Sequence, residues 1–345
     1  MLIYDLADPQ ELTGYVRGVQ MEMEKNTFTL SQILPNDNID DIEYRYMKGQ
    51  FRDQDAASVR AWDTESPIGS RQGVSRVMGE LPPISKKMRL GEEERLRKRA
   101  LETGSNAGLI NAIYDDAGNM ARAVAARVEL LRGEALEDGQ IAINENGVVQ
   151  TVSFGRNAAH DPAALSGTAK WDDHTNSTPI QNIQAWQNTY VSTNGIKPAA
   201  ILTSTDIIGD LLLNSQIRSL AASLSGTPAM VTLDTVRAAL SAFGLPPIYT
   251  YDTKVRVNGS QDNVLDPTKV FFIPPKSEPL GKTFFGTTAE SLELAGAKQI
   301  ANDQCPGMVA VVDKTFDPVG IWTKAVAIAL PVLANPDLTF VVKVK

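Results

Sequence analysis

One stretch of the chain repeats apolar residues with the period of an α-helix. Its apolar members step by 4, 4, 3, 4, 4 and 3 positions: Leu109, Ile113, Ala117, Met120, Val124, Val128 and Leu131. This spacing puts them on one helix face, whereas Asp115 and Asn119 fall elsewhere. The pattern predicts one long amphipathic helix between Gly91 and Arg132. Its first part, Glu92 to Glu102, is charged nearly all round, and Gly104-Ser105 predicts a bend between the two parts.

The residues before this helix lack such a stripe. From Met1 to about Tyr46, short apolar groups are separated by polar ones, so the segment cannot bury enough apolar surface to fold alone. We expect an extended arm that lies along another subunit or along the main body. Residues 45–90 are rich in glycine, proline and arginine, and a loop of that length needs a partner surface or its own hairpin. Alternation in Glu43–Met47 and Gly73–Met78 predicts two hairpin strands.

After the helix the apolar period changes to that of β-strands. Gly139 to Gly155 predicts a hairpin, because Asn146-Gly147 suits the positive φ angles of a tight turn. Residues 178–304 alternate helical and strand patterns, which predicts an inserted α/β lobe. Its predicted elements are helices at 179–191, 205–213 and 233–243 and strands at 199–203, 247–251 and 270–273. Two β segments, Gly320–Leu333 and Leu338–Val344, end the sequence, and we expect them to pair with the 139–155 hairpin.

Composition and charge exclude several classes of protein. The chain has 345 residues, 33 basic against 41 acidic side chains and a net charge of −8, which is the wrong sign for a protein that wraps nucleic acid. A single cysteine and two histidines argue against a disulfide framework and a Cys/His zinc site. The sequence shows no secretory leader and no long apolar run, so we expect a cytoplasm-like compartment and no membrane span.

Motifs for catalysis are missing from the sequence. No phosphate-binding loop, dinucleotide fingerprint or GxSxG elbow occurs. Asp172-Asp173-His174 is read as a solvated or interface loop, His160 as a loop residue and Cys305 as a small buried or interfacial side chain. The four tryptophans are too dispersed for a base-stacking platform and are read as packing anchors. The mixed charges of residues 86–99 fit either a solvated face or an intersubunit ion-pair surface.

Three short segments carry a family resemblance: Trp171-Asp172 followed by Pro179-Ile180-x-x-Ile183-x-x-Trp186, the strand Pro198-Ala199-Ala200-Ile201-Leu202-Thr203, and the tail Ala329-Leu330-Pro331-Val332-Leu333-Ala334-Asn335-Pro336-Asp337. In the tail, an apolar strand runs into an Ala-x-Pro-Asp turn before a final strand. Together with the order of predicted elements, these residues resemble the major capsid proteins of tailed phages with the Hong Kong 97 fold. Within that group, the sequence is similar to the lambda-type head proteins, the capsid protein E family.

The resemblance implies an α+β Hong Kong 97-like capsid fold. Its parts would be an N-terminal arm (1–44), an E-loop (45–90), a peripheral domain with a spine helix and β-sheet (91–177 and 305–345) and an inserted axial α/β domain (178–304). It also implies a major capsid protein without enzymatic activity, cofactor or metal, which self-assembles as hexamers and pentamers into an icosahedral shell around the double-stranded DNA of a tailed bacteriophage.

The resemblance also implies partners and contact residues. Beside its own copies, the subunit would meet portal and scaffolding proteins, with room for a decoration protein, and would enclose DNA without reading its sequence. It would be assembled in the cytoplasm of the bacterial host, belong to the virion and contact no membrane. Subunit contacts are expected at basic and aromatic residues of the E-loop: Arg52, Arg60, Trp62, Arg71, Arg76, Lys86, Lys87 and Arg89.

Three other classes of protein remain as alternatives. An encapsulin-like shell protein would share the fold, although the lambda-like tail favours a virus. An α/β enzyme would have its site in residues 178–304 and would need a convergent acid/base or phosphate site there. Another phage structural protein, such as a tail-tube or decoration protein, would be mostly β, which the long helix and the inserted lobe argue against.

Overall fold

The structure is a computed structural model that describes residues 7–48, 57, 59–65, 75–101, 107–225 and 231–345. Its helices are α1 Pro9–Asn26, α2 Glu92–Leu101, α3 Ala107–Asp138, α4 Pro179–Asn194, α5 Thr205–Leu213, α6 Ser215–Ser225, α7 Leu233–Ala242 and α8 Ala289–Gly296. Its strands are β1 Asn36–Asn38, β2 Glu43–Lys48, β3 Ser75–Glu80, β4 Pro83–Leu90, β5 Gln140–Glu145, β6 Val148–Ser153, β7 Ala200–Thr203, β8 Ile248–Thr250, β9 Lys254–Val257, β10 Ser260–Asn263, β11 Lys269–Ile273, β12 Gly281–Gly286, β13 Val309–Phe316, β14 Val319–Leu333 and β15 Phe340–Lys343.

Helix α3 confirms the predicted long amphipathic helix. Leu109 is half-buried, and the other six members of the apolar stripe are at most 1% exposed. They pack against α1, β4 and β14, while Asp115 and Asn119 are exposed. The charged first part is the separate helix α2, and the predicted bend at Gly104-Ser105 lies outside the described residues. One buried stripe thus sets the orientation of the longest helix on its sheet.

The prediction that the first residues lack a helix is wrong. Helix α1 spans 18 residues, with Asp8 as its N-cap and Pro9 in its first turn. Leu12, Val16 and Val19 are buried against α3 and β13. Their spacing is helical, but the stripe has only three strongly apolar members among polar residues, so the period was weak. Of the two predicted locations for this segment, the structure shows α1 on the main body.

The larger sheet is built around the 15-residue strand β14. Antiparallel neighbours β13 and β4 flank its first half, β12 pairs with its second half, and β1 adds parallel to β12. Alternate residues such as Ala325, Ala327 and Ala329 face the cluster formed with α1 and α3, whereas Leu330 and Val332 join the cluster on the other side. Burial on both faces makes β14 the centre of the core.

A second sheet, in the order β15-β11-β7-β8, forms a separate lobe with helices α4 to α7. The lobe contains every element predicted between 179 and 273, with ends that differ by at most three residues. The pattern missed α6, the β9–β10 hairpin, β12 and α8. The lobe approaches α3 closely at Gly133, where a Cβ atom would lie 2.2 Å from the carbonyl oxygen of Val264. Only glycine permits that contact.

The predicted pairing of the two terminal strands is wrong. Strand β14 pairs with β4, β12 and β13, and β15 pairs with β11 in the second sheet. Among the described strands, β5 and β6 pair only with each other. Strand periodicity indicates which face is buried but not which strand lies alongside, so a plausible neighbour in sequence was chosen over the true neighbours in space.

Both predicted hairpins are confirmed. Strands β5 and β6 turn at Asn146 and Gly147, whose φ angles are 50° and 83°. Positive φ at both central residues is the geometry of a type I′ turn, which matches the twist of the strands. Strands β2 and β3 pair in antiparallel register from Glu43 opposite Glu80 to Lys48 opposite Ser75.

Candidate subunit-contact surfaces

The first five of the eight predicted contact residues lie in or between strands β2 and β3. Arg52 and Arg71 fall outside the described residues. Arg76 belongs to β3, where its side chain is not described. Arg60 and Trp62 lie in the connection between the strands, and both are exposed, Trp62 to 96%. A tryptophan in water forgoes a large hydrophobic gain, so this prediction of a packing anchor is wrong for the subunit taken alone.

The other three predicted residues lie within four positions of one another on β4, with Lys87 and Arg89 on one face of the strand and Lys86 on the other. Lys86, Lys87 and Arg89 are all exposed. The Lys87 ammonium lies 4.8 Å from the ring centre of Trp322 on the neighbouring strand β14, and the Arg89 guanidinium lies 5.8 Å from it. Within the described strands, β4 pairs with β14 alone, so its other edge is unpaired. The three side chains form what we call the basic strand.

The β2–β3 hairpin is fixed to the larger sheet by a buried tyrosine. Tyr44 is 2% exposed, and its ring stacks on Phe284 of β12 with 6.1 Å between ring centres. A Cβ atom at Gly79 would lie 2.5 Å from the Tyr44 hydroxyl oxygen, so glycine leaves room for the ring to lie across β3. Burial raises the pKa of Tyr44. The base of the hairpin is therefore part of the core.

Carboxylates cluster at this base. Glu43 and Glu80 face each other directly across the two strands. Arg45 lies 3.2 Å from the Glu43 carboxylate and 3.7 Å from that of Asp41. The Glu80 side chain is exposed and has no cationic partner among the described residues. Like charges directly opposite each other in a sheet repel, so we name Glu43 and Glu80 the carboxylate pair.

A buried ion pair on α3 joins distant parts of the chain. Glu129 and Arg132 are both 0% exposed, and their side chains are 3.0 Å apart. The Arg132 guanidinium also donates hydrogen bonds to Glu24 of α1 at 3.1 Å, to Asn36 of β1 at 2.5 Å and to Thr283 of β12 at 3.0 Å. One cation thus connects α1, β1, α3 and β12.

Glu129 extends this network into the second lobe. Its Oε1 atom accepts a hydrogen bond from the Tyr251 hydroxyl at 2.7 Å and another from the backbone N–H of Leu30 at 3.0 Å. Burial raises the pKa of Glu129, although Arg132 and these hydrogen bonds act in the opposite direction. Burial and the neighbouring carboxylate raise the pKa of Tyr251. Tyr251 follows β8, so the network also contacts the second lobe.

This network was not predicted from the sequence. The available signal was the pair Glu129 and Arg132, which lie three positions apart and follow Val128 and Leu131 of the apolar stripe. Charged residues are almost never fully buried unless paired, so neither residue suggests a core position by its type. Their partners come from residues 24 to 36, 251 and 283, which no local spacing could connect.

The cysteine, the two histidines and Trp171, which the sequence offered as candidate functional residues, each contact neighbouring residues of the fold. Cys305 is buried, as predicted, and burial raises the pKa of its thiol. His160 is not a loop residue: it ends a 3₁₀ turn, is 0% exposed, and its Nδ1 lies 3.1 Å from the Thr339 carbonyl oxygen. His174 lies 3.0 Å from the Asp210 carboxylate. The buried Trp171 stacks on Trp186 as a packing anchor.

The described part of the chain offers neither a metal-binding cluster nor a membrane-spanning helix. No group of three or more His, Cys, Asp or Glu side chains there could hold a metal ion. No helix there is long and apolar enough to cross a membrane.

The sequence matches the phage major capsid protein E family over residues 10–344. That match covers nearly the whole chain. The protein belongs to this family. It is therefore a capsid shell protein of a bacteriophage. As a capsid protein, it is a component of the virion and associates with copies of itself. A comparison with curated proteins gives no match.

Solved structures agree with the family in fold. A phage-related protein from Bordetella bronchiseptica RB50 superposes with a TM-score of 0.60 at 12% identity, covering 96% of each chain. The putative capsid protein of a prophage from E. coli CFT073 gives a TM-score of 0.58 at 14% identity, covering 96% of this chain and 99% of the other. The fold is thus the Hong Kong 97-like capsid fold that the sequence resemblance implied.

Proposed function

We propose that this capsid protein assembles as hexamers and pentamers into an icosahedral shell that encloses the double-stranded DNA of a tailed phage. Membership of the family supports this proposal over an encapsulin-like shell. A shell subunit must contact several neighbours at once, and a hairpin that leaves the body enlarges the contact area without enlarging the core. Each contact is weak by itself, and their number holds the closed shell.

The proposed domain division follows the sequence ranges, with three exceptions from strand pairing. We propose that residues 1–44 form the N-terminal arm, 45–90 the E-loop, 91–177 and 305–345 the peripheral domain, and 178–304 the axial domain. Strand β4 lies within the range 45–90 but pairs with β14 along its whole length. Strand β12 lies within the axial range but pairs with β14, and β15 lies within the peripheral range but pairs with β11. The two domains therefore exchange one strand each at their junction.

The observation that carries the proposed contact surface is the exposure of Trp62. Between β2 and β3, Val59 is fully exposed and Trp62 is 96% exposed. Tryptophan and arginine are the residues that dominate binding energy when an interface buries them. We propose that the E-loop covers a neighbouring subunit and buries Trp62 and Arg60 there, together with Arg52, Arg71 and Arg76, while the basic strand meets a second neighbour.

A structural role without enzymatic activity fits the side chains of the axial range. A groove of about 420 Å³ between α4 and the end of α7 is lined by amide, aliphatic and aromatic side chains with Lys197 as its ionisable member. An acid/base mechanism needs a second titratable group within hydrogen-bond reach of the first.

We also propose portal and scaffolding partners, room for a decoration protein, and assembly in the bacterial cytoplasm.

Electron microscopy of the purified protein tests the proposal. We expect hollow shells, tubes or hexamer sheets from the wild-type chain. Replacing residues 50–74 with a short Gly-Ser turn keeps the paired parts of β2 and β3 and should leave a folded subunit that forms no stable shells. Circular dichroism and thermal unfolding provide the folding control. Normal shells from this variant would contradict the E-loop proposal, and a wild-type protein that stays monomeric both alone and when produced together with the scaffolding protein of its phage would contradict the shell itself.

A further inference from the structure

The basic strand concentrates unpaired positive charge on an acidic protein. The chain carries a net charge of −8, yet three of the four residues from Lys86 to Arg89 are cationic. None of the three forms an ion pair with an acidic side chain among the described residues. The Lys87 ammonium and the Arg89 guanidinium lie over the ring of Trp322, which holds both cations on one face of the strand while both residues stay exposed. Such a surface is ready to receive negative charge.

The carboxylate pair carries negative charge that its own subunit neutralises only in part. Glu43 and Glu80 repel each other across β2 and β3, and Arg45 neutralises the Glu43 side only. The neighbouring acids are already engaged: Asp41 accepts hydrogen bonds from two backbone N–H groups, and Asp40 accepts one from the Thr287 hydroxyl. A cation supplied from outside the subunit would relieve the repulsion.

We propose that the basic strand of one subunit binds the carboxylate pair of a second copy. This inference rests on the proposed shell and names the partner of one of its contact surfaces. Because the two surfaces differ, the contact is heterologous: each copy offers its basic strand to one neighbour and its carboxylate pair to another. Such head-to-tail contacts close into rings when the rotation between copies allows it.

Charge distribution favours a protein partner over DNA. A surface that binds the phosphate backbone presents a continuous basic field. The basic strand is instead bounded by Glu80 before it and by Glu92, Glu93 and Glu94 at the start of α2. Alternating signs over so short a distance repel a polyanion but set the register of a matching protein surface.

Charge reversal tests the pairing. The variant Lys87→Glu/Arg89→Glu reverses the basic strand, Glu43→Lys/Glu80→Lys reverses the carboxylate pair, and a chain with all four changes reverses both. Lys254→Glu/Arg256→Glu is the matched control, because these exposed residues have the same spacing on β9. Particle yield is measured by light scattering and electron microscopy, folding by circular dichroism and thermal unfolding, and DNA binding by fluorescence anisotropy with labelled duplex.

Each two-residue reversal of the proposed contact should lower particle yield by at least about tenfold, because juxtaposed like charges oppose association. The four-residue variant should recover most of the wild-type yield, and the control should assemble normally. All variants should fold. High salt should weaken wild-type assembly more than that of a variant carrying Lys87→Met and Glu80→Met, whose contact lacks this ion pair.

Two results would overturn the pairing while leaving the proposed shell intact. The first is normal assembly of Lys87→Glu/Arg89→Glu; if this variant also loses duplex DNA binding that the wild-type chain shows, the basic strand is assigned to DNA instead. The second is a four-residue variant that stays unassembled while both parents also fail, which would mean that the surfaces matter but do not meet. Failure of the wild-type chain and the control to assemble, also in the presence of the scaffolding protein, would instead refute the shell, and the pairing with it.

Discussion

The interior of α3 and the exposed strand β4 use charged residues in opposite ways. On α3, Glu129 and Arg132 are fully buried, and each side chain forms hydrogen bonds to several partners. On β4, Lys86 and Lys87 are exposed and lack acidic partners among the described residues. The first group completes its interactions inside one subunit. The second has no acidic partner among the described residues of its own subunit, and we propose that a second copy supplies one.

This contrast separates the stability of the subunit from its assembly. Breaking a buried ion pair leaves an unpaired charge in a medium of low polarity, which is costly. Changing an exposed, unpaired charge alters the free energy of unfolding by no more than about 0.5 kcal/mol. Variants of the two regions should therefore fail in different assays, and each prediction below tests that separation.

The largest effect is expected at Arg132. Replacing Arg132→Leu leaves the Glu129 carboxylate buried without its cation and removes the bonds to Glu24, Asn36 and Thr283. We expect the free energy of unfolding to fall by about 3–5 kcal/mol, as measured by urea denaturation. The double variant Glu129→Leu/Arg132→Leu is the control and should lose less than the sum of the single variants. Additive losses would show that the two side chains do not act as a pair.

A slightly smaller effect is expected on the apolar face of the same helix. Val124 is 1% exposed, so Val124→Asp places a carboxyl group in the core, where it can ionise only at a cost of about 3 kcal/mol. Thermal unfolding should detect a lower melting temperature. Arg122→Asp, on the exposed face two residues earlier, is the matched control and should change it little. Equal stability of both variants would contradict the assigned helix face.

These two positions also show what the sequence could and could not reveal about the fold. The stripe that contains Val124 was predictable, because seven apolar residues at helical spacing define a face without any knowledge of its partner. Arg132 was not, because its burial depends on Glu24, Asn36 and Thr283 from three other elements. Strand partners failed for the same reason: β15 alternates correctly, but nothing in its pattern selects β11.

The candidate contact surface was predictable in part. Clustered cations at residues 86 to 89 were visible in the sequence, and the structure places them on the exposed strand β4. The repulsion between Glu43 and Glu80 was not visible, because it depends on the register of two strands that are separated by more than 25 residues in the chain. The sequence can thus indicate the basic side of the proposed contact, whereas the acidic side can be recognised only when the register of β2 and β3 is known.

A moderate effect is expected at His160, which is buried like Arg132 but uncharged. Burial lowers the pKa of His160, since the apolar surroundings disfavour the imidazolium form. The folded state therefore prefers neutral histidine, so this contribution to stability is complete above the unfolded value of 6.5 and is lost as pH falls through the lower folded pKa. Urea denaturation between pH 8 and pH 5 should show a steeper loss for wild type than for His160→Gln.

At pH 8, His160→Gln itself should lose about 1 kcal/mol with the hydrogen bond to the Thr339 carbonyl. Parallel curves for wild type and His160→Gln would show that this buried imidazole does not contribute to acid sensitivity.

The smallest effect on subunit stability is expected at Trp62, where assembly should suffer most. Trp62 is 96% exposed, so Trp62→Ala should change the free energy of unfolding by no more than about 0.5 kcal/mol. Trp171→Ala, at a buried tryptophan, should lower it by about 3–5 kcal/mol.

If a neighbouring subunit buries Trp62, particle yield should collapse for Trp62→Ala and recover in part for Trp62→Phe. Because a shell repeats each contact many times, even a modest loss per contact prevents closure. Normal shells from Trp62→Ala would mean that the tryptophan stays in water after assembly, and the contrast between the two tryptophans would then concern stability alone.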